Sequence, residues 1–340
     1  MPDTAERSGA RAAWRITVIL FALAVLAAGA VVAVPLWNIS QLFDGKVEKI
    51  SHAFPWADAP RPPALQGEAA KAQNILILGS DTRGSLSGSL VGIGGQRSDT
   101  IMVVHVPADR KHVYVMSILR DSWLSIPGHG QAKINAALSW GGVPLAVQTV
   151  EGLLDVRIDH VAVVDFDGFE GATDALGGVT IDNPVDFTSS KLAGHRFAKG
   201  KLHLNGTQAL AFARERDAYR DGDFQRVRNQ QLLLKALLGN LVHGGSLFNL
   251  GRLGGLLGAV APHLAVDEGL TLGYLATSGL ELRSIRPADV TFFTVPTDGT
   301  GTSADGQSIV NLDWNKLTAV KKAFQTDTLG GYKPEFQSIG

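Results

Sequence analysis

The chain has 340 residues, of which 45% are hydrophobic, with a formal net charge of −1 and no cysteine. This composition excludes a disordered chain, and the balanced charge excludes a global basic field that would attract nucleic acid. The lack of cysteine excludes disulfides, thiolate metal sites and thiol nucleophiles. Any anion site must therefore come from local clustering of basic residues.

The first feature in chain order is an uncharged apolar segment at residues 16–37, preceded by three arginines. About 20 such residues, at ~1.5 Å each, cross the hydrocarbon core of a bilayer. Since the first basic residue after the segment is Lys46, the positive-inside rule predicts a single-pass membrane protein with residues 1–15 in the cytoplasm. A cleaved signal peptide is the alternative, but its apolar region is normally only ~7–15 residues long.

Residues 38–73 contain prolines typical of an extended stalk, so we expect the extracytoplasmic domain to cover residues 74–340. The domain opens with three strand-like runs, rich in β-branched residues, at 74–80, 100–106 and 112–118. Only a short polar turn separates the second run from the third, which predicts an antiparallel pair.

Helical and strand-like patterns are mixed in the rest of the domain. Helices are predicted at 133–140, 144–154, 168–176, 223–242, 247–258, 268–280 and 312–324, and strands at 160–166, 178–181 and 292–296. This mixture favours an α/β layered core. The leucines at 230–242 and 247–258 could line a groove for a lipid tail, although plain core packing is the simpler interpretation.

Charged residues collect at the ends of the three opening strands. If these strands run up, down and up, the end of the first, the start of the second and the end of the third meet at one edge. The residues there are Asp81, Arg83, Arg97, Asp99, Arg120 and Asp121. Ordinary capping of strand ends explains any one of these residues, but less readily all six.

A second polar cluster lies at residues 211–231. Arg214 and Arg216 would share a face in an extended segment, with Glu215 pointing away from them, so we predict extended backbone there. For Arg226 and Arg228, which follow, the simpler interpretation is a solvated face of a helix.

A helix is predicted to start near Asp223, whose side chain is a possible N-cap. Arg226 and Gln230 are four residues apart and would share a face of that helix. A helix N-terminus with an arginine beside it suits an anion.

Guanidinium and carboxylate groups in this mixture suit a pyrophosphate, because arginines bind phosphate oxygens through paired, charge-assisted hydrogen bonds. Asp81 and Asp99 could hold a magnesium ion, which takes carboxylate and phosphate oxygens as ligands. An acceptor hydroxyl would need a general base, and either Asp99 or Asp121 could serve. His105 sits in an apolar strand and is expected to be a core residue.

Several of these segments, in order, resemble the motifs of the LytR-CpsA-Psr family of cell-wall ligases. The resemblance covers residues 74–238. The matching segments are NILILGSDTR (74–83), RSDTIMVVHV (97–106), SILRDSWLSIPG (117–128), KINAA (133–137), IDHVAVVDFDGFEGATDALGGVTID (158–182), HLNGTQALAFARER (203–216) and GDFQRVRNQQ (222–231). No single motif is decisive, but this order is specific.

The resemblance implies an α/β/α layered domain with a central mixed β-sheet and a hydrophobic pocket for a polyprenyl tail. It implies that Asp81 and Asp99 bind Mg²⁺ (or Mn²⁺). It also implies that the pyrophosphate is contacted or approached by Arg83, Arg97, Arg120, Arg214, Arg216, Arg226 and Gln230. The residues expected to be catalytic are Asp99, Arg120 and Asp121.

The implied activity is a phosphotransferase that moves a glycopolymer of teichoic acid, capsular polysaccharide or arabinogalactan type from a polyprenyl-pyrophosphate carrier onto peptidoglycan through a phosphodiester. Its partners would be the lipid-linked glycan donor, the peptidoglycan acceptor and the membrane bilayer. Two alternatives stay open. One is a polyprenyl-pyrophosphate phosphatase with water as the acceptor, and the other is a non-enzymatic membrane-bound regulator or lipid-binding scaffold, which would need no paired carboxylates.

Three features depart from the family pattern. Leu119 stands where a proline is usual, and Asn229 replaces the second arginine of an R-x-x-R-Q pattern. The long spacing between Asp81 and Arg97 indicates a rim loop at 84–96 that is specific to this branch. These departures concern one pyrophosphate contact and the rim, not the whole site.

Overall fold

The computed structural model of the chain describes residues 39–56, 58–80, 98–243 and 250–332. Its strands are β1 (Glu48–Ile50), β2 (Gln73–Ser80), β3 (Ser98–Val106), β4 (Val113–Ile118), β5 (Trp123–Ile126), β6 (Gly130–Lys133), β7 (His160–Val164), β8 (Val179–Asn183), β9 (Phe187–Thr188), β10 (Arg196–Phe197), β11 (Gly200–Leu204), β12 (Leu264–Asp267), β13 (Val290–Thr294), β14 (Thr297–Thr302) and β15 (Ser308–Leu312).

Seven of these strands form one mixed sheet with the order β1-β12-β7-β2-β3-β4-β13. The pairs β1/β12, β7/β2 and β4/β13 are parallel, and the other neighbours are antiparallel. The predicted up, down, up course of the three opening strands is therefore confirmed. The pairs β5/β6, β8/β11, β9/β10 and β14/β15 form small antiparallel ribbons.

Helices cover both faces of this sheet. They are α1 (Asn135–Leu154), α2 (Phe166–Ala175), α3 (Gly206–Arg214), α4 (Asp223–His243), α5 (Leu250–Val260), α6 (Leu272–Glu281) and α7 (Trp314–Gln325), with 3₁₀ turns at Gly67–Lys71, Ala261–His263, Pro287–Asp289 and Leu329–Gly331. α1 joins two predicted helices across a kink at Gly141 and Gly142. Among the described residues no helix is both long and apolar enough to cross a membrane, and the predicted span at 16–37 lies outside them.

One face of the large sheet is fully packed. Side chains of β2 alternate between buried and half-buried, and Leu76 and Leu78 are on the buried side. They join a cluster with Val147 and Leu154 of α1 and Phe324 of α7. This alternation with a period of two residues is what a strand between two unlike surfaces requires.

His105 lies on the same face and is completely buried. Its ring nitrogens are 2.8 Å from Asn74 Oδ1 and 2.9 Å from Asp327 Oδ1. The prediction of a hydrogen-bonded core histidine is confirmed.

The opposite face of the sheet is covered less completely. Ile75 and Ile77 of β2 point to it and are only half-buried. α4 lies over its β4 side, where Gln231 donates to Ser117 Oγ at 3.0 Å, and Leu257 of α5 packs near its β7 side. Most leucines in the second half of α4 and in α5 are also half-buried. Apolar surface on this side of the sheet therefore remains accessible.

The segment predicted as a stalk contributes to the fold. Residues 39–46 are helical, and β1 pairs with β12 at the edge of the large sheet. Phe43 and Val47 are buried against Val266 and Leu270. Because these apolar side chains pack on the sheet, the fold begins before residue 74, earlier than the proline pattern indicates.

Candidate active site

The contact between Asp99 and Arg120 joins the ends of two strands. β3 and β4 pair with Ile101 opposite Ile118, so Arg120, two residues after β4 ends, lies beside the start of β3. Arg120 Nη1 donates a hydrogen bond to Asp99 Oδ1 at 2.5 Å. The predicted meeting of these two positions is confirmed.

A β-bulge determines where Asp99 points. Gly79 pairs with Thr100 and Ser80 pairs with Ser98, which leaves Asp99 without a partner on β2. A bulge interrupts the alternation of a strand and re-aims a side chain, and bulges are common beside active sites. Because of the bulge, the direction of the Asp99 side chain is not set by the regular alternation of β3. Asp99 lies at the end of the strand that is next to Arg120.

Asp121 also contacts Arg120. Its carboxylate is 3.7 Å from Arg120 Nε and 3.3 Å from Lys133 Nζ. The turn is held by backbone hydrogen bonds from Asn135 N to Arg120 O at 3.2 Å and from Val310 N to Asp121 O at 2.9 Å. Lys133 is a site residue that the sequence reasoning missed, although its place in the KINAA motif is a signal that could have marked it.

The first turn of α4 adds a buried ion pair to this site. Gly222 has a φ of 45°, in the left-handed region that favours glycine, and the chain turns there into the helix. Asp223 contacts Arg226 Nη2 directly and lies 3.9 Å from Arg120 Nε. The prediction of an N-cap at Asp223 is wrong, because its carboxylate faces the arginines and accepts no backbone hydrogen bond.

Several buried polar atoms of this cluster have no hydrogen-bond partner among the described residues. They are Arg120 Nε, Ser122 Oγ, both carboxylate oxygens of Asp223, and Arg226 Nε and Nη2. The Arg226 side chain is only 3% exposed, so water does not solvate it freely. Arg226 Nη2 is in ion contact with Asp223, whereas the Nε–H groups of Arg120 and Arg226 are suited to an anion that accepts hydrogen bonds, since buried polar groups are normally paired.

The charges of the cluster act on one another. Burial raises the pKa of Asp223, against the opposing effect of Arg226. Burial lowers the pKa of Arg226, although Asp223 opposes the change. Burial also acts to lower the pKa of Arg120, but Asp99 and Asp121 outweigh it, and the pKa lies above its ordinary value. Both guanidinium groups stay charged at neutral pH.

Glu215 holds the segment that carries Arg214 and Arg216. It is completely buried and accepts hydrogen bonds from Ser189 Oγ at 2.9 Å and Ser190 N at 2.7 Å. Burial acts to raise the pKa of Glu215, but these hydrogen bonds hold it below its ordinary value. Glu215 therefore points into the protein, while the two arginines on either side are half-buried.

The prediction of extended backbone at this segment is wrong in part. Glu215 is extended, with φ −67° and ψ 129°, but α3 continues to Arg214. A capping box starts α3, and its buried alanines hold the helix to its last turn. The Arg214 guanidinium lies over the Phe166 ring, 4.3 Å from the centroid, and Arg216 Nε is 3.1 Å from Asp217 Oδ1.

Asn229 and Gln230 fasten α4 to the end of α3. Asn229 Nδ2 donates to Phe212 O at 3.1 Å, and Gln230 Nε2 donates to Ala213 O at 3.4 Å. The last carbonyls of a helix lack partners within the helix, so these amides supply them. Asn229 thus has a structural role, and a pyrophosphate contact by Gln230 stays a prediction.

The two predicted polar clusters meet at α4. Arg120 contacts its first residue, and the end of α3 is bonded to its second turn through Gln230. An open cleft of about 680 Å³ is lined by Asp121 from the first cluster and by Arg216 and Asp223 from the second. The two clusters, distant in sequence, therefore border a single space.

Asp81, Arg83, Arg97 and the rim loop at 84–96 lie outside the described residues. Leu119, which replaces the usual proline, is completely buried in the core, so this departure is a packing feature.

Comparison with known proteins places this geometry in a family. The sequence model described as the LytR_cpsA_psr family matches residues 43–326. A polyisoprenyl-teichoic acid–peptidoglycan teichoic acid transferase TagU from Bacillus mycoides (strain KBAB4) is 39% identical over 195 residues, which are 57% of this chain. This chain spans about 60% of the length of that relative.

A second relative, the TagU of Enterococcus faecalis (strain ATCC 700802 / V583), is 29% identical over 311 residues, with 90% of this chain and 93% of that protein covered. Among solved structures, TagT bound to LI-WTA superposes with a TM-score of 0.63 at 25% identity, covering 81% of this chain and 98% of that one. Since the family model matches well over half of its residues, the chain belongs to the LytR_cpsA_psr family.

Proposed function

We propose that the protein is a transferase that moves a glycopolymer from a polyprenyl-pyrophosphate carrier onto peptidoglycan. The carrying observation is the buried cluster of Arg120 and Arg226, in which the Nε of each guanidinium has no hydrogen-bond acceptor among the described residues. Pyrophosphate oxygens would accept from them and balance their charge. The names of the teichoic acid transferases to which the chain is similar support the glycan and the acceptor.

In this reaction the acceptor hydroxyl attacks the phosphorus next to the glycan. A new P–O bond to peptidoglycan forms, the bond to the bridging oxygen breaks, and polyprenyl monophosphate leaves with that oxygen. Arg120 and Arg226 stabilise the negative charge that develops on the leaving phosphate. Arg216, which lines the cleft, would bind an outer phosphate oxygen, and Arg214 at the end of α3 would be the second arginine of that segment to do so.

The acceptor proton passes to a carboxylate, and Asp99 and Asp121 are the two candidates. Asp99 is bound tightly to Arg120, whereas Asp121 lines the open cleft beside Lys133. Asp121 is therefore the better placed base. Asp121→Asn would remove the general base and lower kcat by about 10²-fold. A kcat close to that of wild type would instead assign the role to Asp99.

Asp99, together with Asp81, would hold Mg²⁺ (or Mn²⁺). Carboxylate oxygens are the ligands that these cations take, and the Asp99 side chain is 19% exposed, so a cation can reach it. The cation would neutralise diphosphate charge when bound. Transfer should therefore stop in a chelator and return with added Mg²⁺, and chelator-resistant transfer would contradict this part of the proposal.

The half-buried apolar face of the sheet would receive the polyprenyl tail. Ile75 and Ile77 point to it, and the half-buried leucines of α4 and α5 border it. Burial of prenyl methyl and methylene groups there would contribute about 25 cal/mol for each Å² removed from water. The apolar segment at 16–37 would anchor the chain in the membrane, with the catalytic domain outside.

A transfer assay with purified full-length protein tests the proposal. Lipid-linked glycan and peptidoglycan are supplied together, and product is measured for wild type, Arg120→Ala and Arg196→Ala. Arg196 pairs with Asp186 on the exposed β10 ribbon, so it is a matched arginine outside the site. We expect transfer to be lost only in Arg120→Ala. Normal transfer by Arg120→Ala would overturn the site, and release of free glycan phosphate without transfer would identify a phosphatase.

A further inference from the structure

A second cavity lies beside the cleft, between the first half of α4 and the edge strand β13. It has a volume of about 380 Å³ and is named here the β13 pocket, with lining residues that include Phe224, Arg228, Gln231, Lys235, Lys316 and Tyr332. Phe224 and Arg228 also line the cleft. The two cavities are therefore neighbours that share a wall.

The lining of the β13 pocket is basic. Arg228, Lys235 and Lys316 border it, and no aspartate or glutamate is among its lining residues in the described part of the chain. Outside the lining, Arg228 is paired with Asp221, and Lys316 Nζ lies 3.8 Å from the Asp313 carboxylate. Lys235 and Lys316 are exposed and come from different helices, α4 and α7. The floor is apolar and includes the buried Phe293 and Val295. Such a pocket suits a ligand that carries carboxylates on a partly apolar frame.

The position of the pocket indicates which substrate it receives. The half-buried apolar face that would hold the leaving polyprenyl group centres on β2 and β7, whereas the pocket is at β13. Three strand spacings separate β2 from β13, which is roughly 14 Å. In-line displacement requires the nucleophile to approach opposite the leaving group. An acceptor bound at β13 would approach from the side away from the prenyl tail.

We infer that the β13 pocket binds the acceptor, by the carboxylates of the peptide stem that a peptidoglycan strand carries. This inference rests on the proposed function, because it assigns the acceptor of that reaction to a second cavity. Lys235 and Lys316 bind the stem carboxylates, and the bound stem positions a sugar hydroxyl of the same strand over the cleft. Neither lysine takes part in the chemical step, so both are positioning residues.

The test uses a soluble muropeptide of peptidoglycan as acceptor and as binding probe, with full-length protein. Lys235→Gln/Lys316→Gln is compared with Lys322→Gln, which removes an exposed lysine of α7 that does not line the pocket. Two exposed charge contacts are lost in the double variant. We expect its KM for the muropeptide to rise roughly tenfold at unchanged kcat and unchanged donor KM. A muropeptide with amidated carboxylates should bind wild type as weakly as the native probe binds the double variant.

The outcomes separate this inference from the proposed function. An unchanged muropeptide KM in the double variant, or an equal rise of this KM in Lys322→Gln, would show that the β13 pocket does not bind the acceptor. The proposed transfer reaction would be unaffected by that result. A rise in donor KM alone would assign the pocket to the anionic donor polymer and also overturn the inference. If wild type binds the muropeptide, the double variant does not, and no transfer occurs, the pocket stands and the proposed reaction fails.

Discussion

Glu215 and Asp223 are two buried carboxylates only eight residues apart, and their surroundings differ in kind. Glu215 accepts hydrogen bonds from two serine hydroxyls and several backbone N–H groups, and these bonds hold its pKa below the ordinary value. Asp223 pairs with Arg226 and lies near Arg120, has no hydrogen bond to either oxygen among the described residues, and has a pKa raised by burial.

The difference separates structure from function. A carboxylate whose hydrogen bonds are all supplied by the protein stabilises a turn and has nothing left for a ligand. A buried ion pair without hydrogen bonds is weak support for the fold, because desolvation offsets its attraction. We therefore propose that the Asp223–Arg226 pair serves a ligand, whereas Glu215 stabilises the turn that carries Arg214 and Arg216.

The largest expected effect comes from replacing the unsatisfied pair with apolar residues. Arg226→Met combined with Asp223→Leu should lower transfer by about 10³-fold, because a charge-stabilising group is lost. Its free energy of unfolding should stay within about 1 kcal/mol of wild type, since no hydrogen bond is broken. Urea unfolding beside the transfer assay measures both. A destabilisation above about 3 kcal/mol would show that the pair is structural.

Glu215→Gln should behave in the opposite way. The amide offers one acceptor oxygen where the carboxylate offers two, and donors of the Ser190 turn are left unpaired. We expect a loss of about 2 kcal/mol in the free energy of unfolding, measured by urea. Glu68→Gln, at an exposed position, is the control and should change nothing. Equal free energies of unfolding for Glu215→Gln and wild type would show that the hydrogen bonds of Glu215 do not stabilise the fold.

Binding of inorganic pyrophosphate with Mg²⁺ tests whether the Asp223–Arg226 pair forms part of a ligand site. At 100 times its Kd it should raise the free energy of unfolding of wild type by about 2.7 kcal/mol, visible as a higher Tm. The Arg226→Met/Asp223→Leu variant should show no such rise, whereas Arg196→Ala should keep it. An unchanged rise in the double variant would mean that pyrophosphate binds elsewhere.

The smallest effect is in the pH dependence of stability, and its sign differs for the two carboxylates. Glu215 contributes stability above its unfolded pKa of about 4.3, and this is lost as pH falls through the lower folded pKa. Asp223 binds its proton more tightly when folded, so stability falls as pH rises from about 3.9 to its raised pKa.

Urea unfolding at a series of pH values measures these changes in the free energy of unfolding. Each amounts to about 1.4 kcal/mol for every unit by which the folded pKa differs from the unfolded pKa. Glu215→Gln should no longer lose this stability as pH falls, and Asp223→Asn should no longer lose stability as pH rises above about 3.9. Identical pH profiles of both variants and wild type would contradict the assigned environments.

Local patterns in the sequence were sufficient for the elements and for part of the site. Runs of β-branched and apolar residues predict β2, β3 and β4, and the short turn before β4 predicts that β3 and β4 are antiparallel. That course alone brings Asp99 and Arg120 together. The stalk prediction for 38–73 missed β1, because prolines indicate extended backbone but do not reveal a partner strand at β12.

The sequence by itself determined which residues could bind a diphosphate, since residue type and order along the chain carry that chemistry. Only the tertiary structure decided how they are used: the bulge that directs Asp99, the approach of Asp223 to Arg120, the contact of Lys133 with Asp121, and the hydrogen bond from Asn229 to the end of α3. These contacts join segments far apart in the chain. Periodicity and spacing report only neighbours within an element, so packing between elements had to settle the rest.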